Sequence, residues 1–253
     1  MQKITAHTIV KNEENWIKYS LLSVKDLVTK ILVFDDSSSD RTVKIVQSIG
    51  DPKIEFFSKE LKTPADHTKL RNEMIKMTKT EWFLILYGDE VWNKTTFEKL
   101  LTLIEKCPKN VYGVVVRTRN CVGDVFHYLP ESDGKYELLG KRGNFNIRAY
   151  RKIPGFSWKG DYPNEAYCDA RGKPINNQND HLAFFDDYYW HMTFLPRSSA
   201  RDLRKHAKNY KLALGIKALE SDLPEVMKNG FWPRRGALYW LMAAVSDLLR
   251  KFR

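Results

Sequence analysis

The stretch EWFLILYGDE at 81–90 is an apolar run that stops at two acids, Asp89 and Glu90. Its apolar residues do not alternate with polar ones, which predicts a strand at 82–87 buried on both faces, as in a parallel sheet. Strands are predicted likewise at 4–9, 30–35, 54–57 and 112–117. Amphipathic stretches at 14–26, 40–48, 68–78 and 95–107 predict helices between them. Asp40 stands where a helix cap belongs, and Pro52 closes the following turn. The alternation predicts an α/β fold with a mostly parallel central sheet flanked by helices. In such sheets the ligand binds outside the carboxyl ends of the strands.

The polar residues gather at those ends. Lys11, Asn12 and Glu13 follow the first predicted strand, Asp35, Asp36 and Ser37 the second, and Asp89 with Glu90 the fourth. From Arg119 to about His191 the pattern loosens into a region rich in Gly, Tyr, Trp and Asn, where substrate specificity is expected. A helical pattern returns at 198–219, and the chain closes on GALYWLMAAVSDLLRKFR. These shifts divide the chain into a catalytic domain at 1–196, with halves 1–118 and 119–196, and a basic helical C-terminal extension at 197–253.

Composition narrows the function classes. At 253 residues with 43% hydrophobic content the chain buries a real core, which excludes a disordered protein. Cys107, Cys121 and Cys168 are odd in number and widely spaced, suiting neither a disulfide framework nor a zinc cluster. The opening MQKITAHTIVKNEE lacks the apolar region of a secretory signal, and no apolar segment approaches the roughly 20 residues of a membrane span. A cytoplasmic setting is expected, at the inner face of a membrane if the tail binds lipid. The net charge of +11 is uneven: residues 197–253 hold 13 Lys or Arg against 5 Asp or Glu, which is +8 and leaves +3 for the rest. Such a patch favours a phospholipid surface or a nucleic acid, with a solvated basic helix as the plain alternative.

Four segments in register carry a resemblance: HTIVKNEE at 7–14, ILVFDDSSSDRT at 31–42, LRN at 70–72 and EWFLILYGDE at 81–90. Together they resemble glycosyltransferase family 2, closely over residues 3 to 105 and weakly beyond. The resemblance implies a GT-A fold and an inverting transfer of a sugar from a nucleotide-sugar donor, UDP-type, to a hydroxyl. It also implies a divalent metal, Mn2+ or Mg2+, on the leaving diphosphate. Asp36 matches the aspartate that contacts the base, Arg71 the arginine near the diphosphate, and Asp89 the metal ligand that ends the Asp-X-Asp motif. Ile9, Asn12 and Glu13 fall where the first strand end lines the nucleotide pocket. Tyr87 replaces the first acid of that motif, and Glu90 is the candidate supporting ligand.

Further along, IRAYRKIPGFSWKGDYPNEAY at 147–167 resembles the family segment that ends in a glutamate. The expected general base is Glu165, with Asp161 second because Asn164 replaces the usual His and the spacing is stretched by one. His191, in YYWHMTF, is expected either to complete the metal shell or to be a hydrogen-bonded core residue. Trp158, Tyr162 and Trp190 are candidates for stacking on the acceptor sugar or for core packing. In the tail, a helix over 236–249 places Leu238, Leu241, Val245, Leu248 and Phe252 on one face, with Tyr239 and Trp240 as interface residues. It is expected to lie on an anionic membrane or to dock on the catalytic domain or a second subunit. The acceptor is expected to be a glycan or a lipid-linked glycan. The alternatives are a transferase acting on DNA and a non-catalytic nucleic-acid-binding protein on a degenerate GT-A fold.

Overall fold

The computed structural model describes residues 3–199, 215–230, 232 and 234–251. Four parallel strands form the first half of the sheet: β1 (Ile4–Val10), β2 (Lys30–Asp36), β3 (Ile54–Lys59) and β4 (Trp82–Ile85), in the order β3-β2-β1-β4. Helices α1 (Ile17–Val24), α2 (Thr42–Ser48) and α3 (Pro64–Met77) make the crossovers. The unbroken apolar run of β4 now has its reason. Trp82 and Leu84 enter a core shared with Ile17, Leu21 and Val24 of α1, whereas Phe83 and Ile85 enter a second core on the other face with Ile147 and Tyr167. A strand between two cores has no polar face to show.

Beyond β4 the chain forms β5 (Glu90–Val91), α4 (Lys94–Lys106), β6 (Gly113–Val122) and β7 (Asp124–Tyr128). The hairpin β8 (Tyr136–Leu138) and β9 (Lys141–Gly143) leads into β10 (Phe145–Arg151), which inserts antiparallel between β4 and β6. A small pair, β11 (Ser157–Lys159) and β12 (Ala166–Cys168), precedes β13 (Leu182–His191), which runs parallel to β6 and antiparallel to β5. The last described elements are β14 (Ile216–Lys217), α5 (Glu225–Lys228) and α6 (Ala237–Lys251).

Several boundaries differ from the sequence reading. Helix α3 starts at Pro64 rather than 68, because Thr63 and Asp66 form a capping box with proline in the first turn. The fourth strand ends at Ile85, since the chain must turn before Asp89. Most of the helix expected over 198–219 lies outside the described residues, but Ile216 and Lys217 are not helical: they pair with Tyr128 and His127 as an edge strand. The tail helix is present as α6.

Strand β1 buries a histidine among its apolar residues. His7 stacks on Phe83 with ring centroids 4.8 Å apart, and its Nε2 lies 2.6 Å from Thr78 Oγ1. Burial, with help from the Arg71 and Lys152 charges, pushes its pKa down to about 3, so the folded chain keeps the ring neutral. Below the ordinary value of about 6.5 the unfolded chain takes up a proton that the folded chain refuses, so His7 erodes stability as pH falls towards 3. Urea unfolding at pH 7, 5.5 and 4 should show a steeper loss in the wild type than in His7→Leu, by up to about 1.4 kcal/mol per pH unit. Parallel pH profiles would mean that the ring ionises in the fold.

Candidate active site

The turn from β4 into β5 is built from the inside. Glu90 is fully buried, and its carboxylate accepts from Arg148 Nη2 at 2.6 Å and from the Tyr87 backbone N at 3.2 Å. Arg148, on β10, also lies 5.1 Å from the rings of Tyr87 and Tyr189. Burial alone would lower the Arg148 pKa, but the Glu90 charge outweighs it and the guanidinium stays protonated. Gly88 fits beneath this turn because a Cβ there would sit 3.0 Å from Glu13 Cγ and 3.1 Å from Val10 Cγ2. Ser20 Oγ donates to the Tyr87 carbonyl at 2.9 Å, and Met192 N to the Asp89 carbonyl at 2.9 Å.

Asp89 faces the other way, into a cavity of about 690 Å³. Antiparallel pairing sets His191 opposite Glu90, and His191 Nε2 comes within 3.4 Å of Asp89 Oδ2. Arg197 reaches the same oxygen with Nε at 3.0 Å and Glu13 Oε1 with Nη1 at 3.2 Å. Burial would lower the Arg197 pKa, but Asp89 and Glu13 raise it, and the arginine stays charged. Its neighbours are fixed by Glu14, which accepts from Arg41 Nε at 2.9 Å, Ser199 Oγ at 2.7 Å and Ser199 N at 3.1 Å. The Arg41 and Ser199 bonds hold the Glu14 carboxyl down at about 2.

The ends of β1 and β2 form another wall of the cavity. Asn12 and Ser37 take left-handed backbone at φ 53 and 49, a conformation that asparagine tolerates better than most residues. Asn12 N donates to Ser38 Oγ at 2.9 Å, and Asn12 Oδ1 accepts from Ser39 N at 2.8 Å, which clamps the two loops together. Asp35 accepts from Ser38 N and stabilises the turn, whereas Asp36 lines the cavity. Asp36 Oδ1 accepts from Leu61 N at 2.9 Å, and Oδ2 pairs with Lys11 Nζ at 2.9 Å. Ile9, Asn12 and Glu13 line the same space.

A second cavity, about 550 Å³, lies beside the first and shares Tyr87, Pro163, Glu165 and His191 with it. Glu165 sits at the junction. Its Oε1 lies 3.1 Å from His67 Nδ1 and 3.3 Å from Arg71 Nε, while Oε2 is buried and has no hydrogen-bond partner among the described residues. Burial would raise the Glu165 pKa, but His67 and Arg71 outweigh it and the carboxyl lies below its ordinary value. Arg71 also donates to Tyr87 Oη at 3.0 Å and packs 4.8 Å from the Trp158 ring.

Residues 5–163 match the sequence profile described as "Glycosyl transferase family 2". The chain belongs to glycosyltransferase family 2. The SPbeta prophage-derived glycosyltransferase SunS of Bacillus subtilis is 34% identical over 97 residues, 38% of this chain and 22% of SunS. An uncharacterized glycosyltransferase of Rickettsia bellii is 29% identical over 93 residues, 37% of this chain and 30% of its own length. The matches therefore span under a third of these relatives. Among solved structures, S. aureus TarS 1-349 in complex with UDP-GlcNAc superposes with a TM-score of 0.55 at 17% identity, covering 90% of this chain and 69% of that one. Glucosyl-3-phosphoglycerate synthase from Mycobacterium tuberculosis, in complex with Mn2+, UDP and glucosyl-3-phosphoglycerate, gives 0.50 at 14% identity, covering 82% and 76%. At these identities the likeness establishes the fold, which is GT-A.

Within this family 2 site, some residues singled out from the sequence fall elsewhere. Glu90 lies beneath the turn, saturated by Arg148 and Tyr87 N, and does not line the Asp89 cavity. Trp190 is fully buried, 5.2 Å from the Arg119 guanidinium, with no face open to a sugar. Asp161 is exposed and lines neither cavity. Trp158 lines the second cavity, and the half-exposed Tyr162 lines the first, against His67 with ring centroids 4.7 Å apart. The sequence reading did not find His67 or Arg197. His67 was missed because the expected helix began at 68; with α3 starting at Pro64 it precedes Arg71 by one helical turn and shares its face.

Removing Arg148 would strand the Glu90 charge in the core. Arg148→Met should cost about 3–5 kcal/mol of folding stability in urea unfolding, the usual penalty for breaking a buried pair. A cost below about 1 kcal/mol would show that the pair does not hold the turn.

Proposed function

We propose that this family 2 chain is a glycosyltransferase that moves a sugar, with inversion, from a UDP-type nucleotide sugar to a hydroxyl of a glycan or lipid-linked glycan. The observation that carries the reading is the partnerless Oε2 of an ionised Glu165 at the junction of the two cavities. The first cavity suits the donor: Asp36 and Ile9 are placed for the base, and Asp89, His191 and Arg197 for the diphosphate end. The second suits a sugar acceptor, with Trp158 for its apolar face and the side chains of Asn146, Asn164 and Asn176 for its hydroxyls.

In the proposed step the acceptor oxygen attacks the anomeric carbon, and the bond from that carbon to the β-phosphate oxygen breaks. The acceptor proton passes to Glu165 Oε2. His67 and Arg71 hold the other oxygen, Oε1, and so keep the carboxylate aimed and charged. Arg197, which lines the donor cavity, stabilises the departing diphosphate.

The residues fit a divalent cation in one respect: a carboxylate and an imidazole, Asp89 and His191, converge within 3.4 Å on the cavity wall. Bound there, Mn2+ or Mg2+ would supply positive charge to the leaving diphosphate. Among the described residues no group of three or more His, Cys, Asp or Glu could hold a metal, so a cation held by Asp89 and His191 would draw its remaining ligands from the donor or from water.

Two measurements test the reading. Thermal unfolding with nucleoside diphosphates should show stabilisation that requires Mn2+ or Mg2+, no shift with metal alone, and loss of the effect in Asp89→Asn. At about 100 times Kd the gain should be about 2.7 kcal/mol. Absence of a shift for every nucleotide sinks the proposal. Glu165→Gln should keep the nucleotide shift and lose about 100-fold to 10,000-fold in kcat, the span of a lost general base. A kcat within about threefold of wild type would remove Glu165 from that role.

A further inference from the structure

Helix α6 is docked on one side and bare on the other. Gly123, at φ +75 in the β6–β7 turn, leaves the space that Tyr239 fills: a Cβ there would come within 2.7 Å of Tyr239 Cε1. The Trp240 ring lies 4.0 Å from His127, and Ala243 is fully buried. Just before the helix, Arg235 donates its backbone N to Asp124 Oδ2 at 3.2 Å and its Nε to the Gly123 carbonyl at 2.8 Å. The helix is thereby held in one orientation on β7.

The other side carries Leu238, Leu241, Met242 and Val245, exposed by 71%, 64%, 53% and 50%. Their spacing of i, i+3, i+4 and i+7 makes one continuous stripe along the helix. Four neighbouring large apolar side chains on a fixed helix are a contact surface rather than scattered exposure. In the sequence, Lys228, Arg234 and Arg235 precede the stripe and Arg250, Lys251 and Arg253 follow it, with Asp247 the one acid from 228 to 253. Of these, Arg234 pairs with Glu220 and Arg235 donates to the Gly123 carbonyl.

We propose that α6 lies in the surface of an anionic phospholipid bilayer, with Leu238, Leu241, Met242 and Val245 at the acyl boundary and the basic residues among the headgroups. An apolar stripe bordered by cations has the complementarity of an anionic lipid surface. A second copy of the same face would bring two excess-positive regions together. No helix among the described residues is long and apolar enough to cross a membrane, which is consistent with a helix that lies flat. This surface is independent of the transferase reading and would stand if that reading failed.

The test is co-sedimentation of the whole chain with vesicles of phosphatidylcholine alone and of phosphatidylcholine with phosphatidylglycerol in equal parts. The chain should bind the mixed vesicles, bind neutral ones at least about tenfold more weakly, and release as salt is raised. A double variant, Leu241→Glu with Val245→Glu, should lose at least about tenfold in binding to the mixed vesicles. Its thermal unfolding should match wild type, because both side chains face solvent. Equal binding of variant and wild type overturns the proposal. So does a lipid-free dimer that the double variant dissociates, which would mean that a second copy covers the stripe.

Discussion

The charge on Glu90 is held entirely out of water, and the site depends on how it is satisfied. An ion so buried costs several kcal/mol unless paired and hydrogen-bonded. Arg148 and the Tyr87 backbone N supply both needs, and to do so the chain inserts β10 antiparallel between β4 and β6. With Glu90 pinned inward, the preceding residue turns outward, so Asp89 meets the cavity. The short pairing of β5 with β13 then fixes His191 beside it and, one residue earlier, buries Trp190, because neighbouring strand residues face opposite sides.

A second set of charges is balanced around this frame. Arg71 is nearly as buried as Glu90, and its partners are the carboxylate of Glu165, the phenol of Tyr87 and the face of Trp158. Tyr87 therefore has a use where an acid would be expected. A carboxylate at 87 would compete with Glu165 for Arg71, whereas the phenol accepts one hydrogen bond and leaves the charge of Arg71 to Glu165. Arg197 does for Asp89 and Glu13 what Arg71 does for Glu165, and it stands where the chain leaves the sheet for its basic extension.

Strands β2 and β4 were legible because they lie between two cores and so read as unbroken apolar runs. Strand β13 was not placed as a strand, since it carries charged residues whose partners are distant in sequence, such as Asp186 with Arg117. The same limit explains the reading of Glu90. Two adjacent acids look alike on paper, and only the pairing of β5 decides which faces the cavity. Asp36, Asn12 and Glu13 line one cavity because strand ends in a parallel sheet converge on one side. Arg197 carried no local signal, because its role depends on where β13 delivers the chain.

The most direct test is a crystal of the chain grown with Mn2+ and a nucleoside diphosphate, with anomalous scattering measured at the manganese edge. The account predicts one peak between Asp89 and His191, with the diphosphate against it and Arg197 moved from Asp89 onto a phosphate. A nucleotide bound without an anomalous peak, or a peak centred on other side chains while Arg197 stays on Asp89, would contradict it.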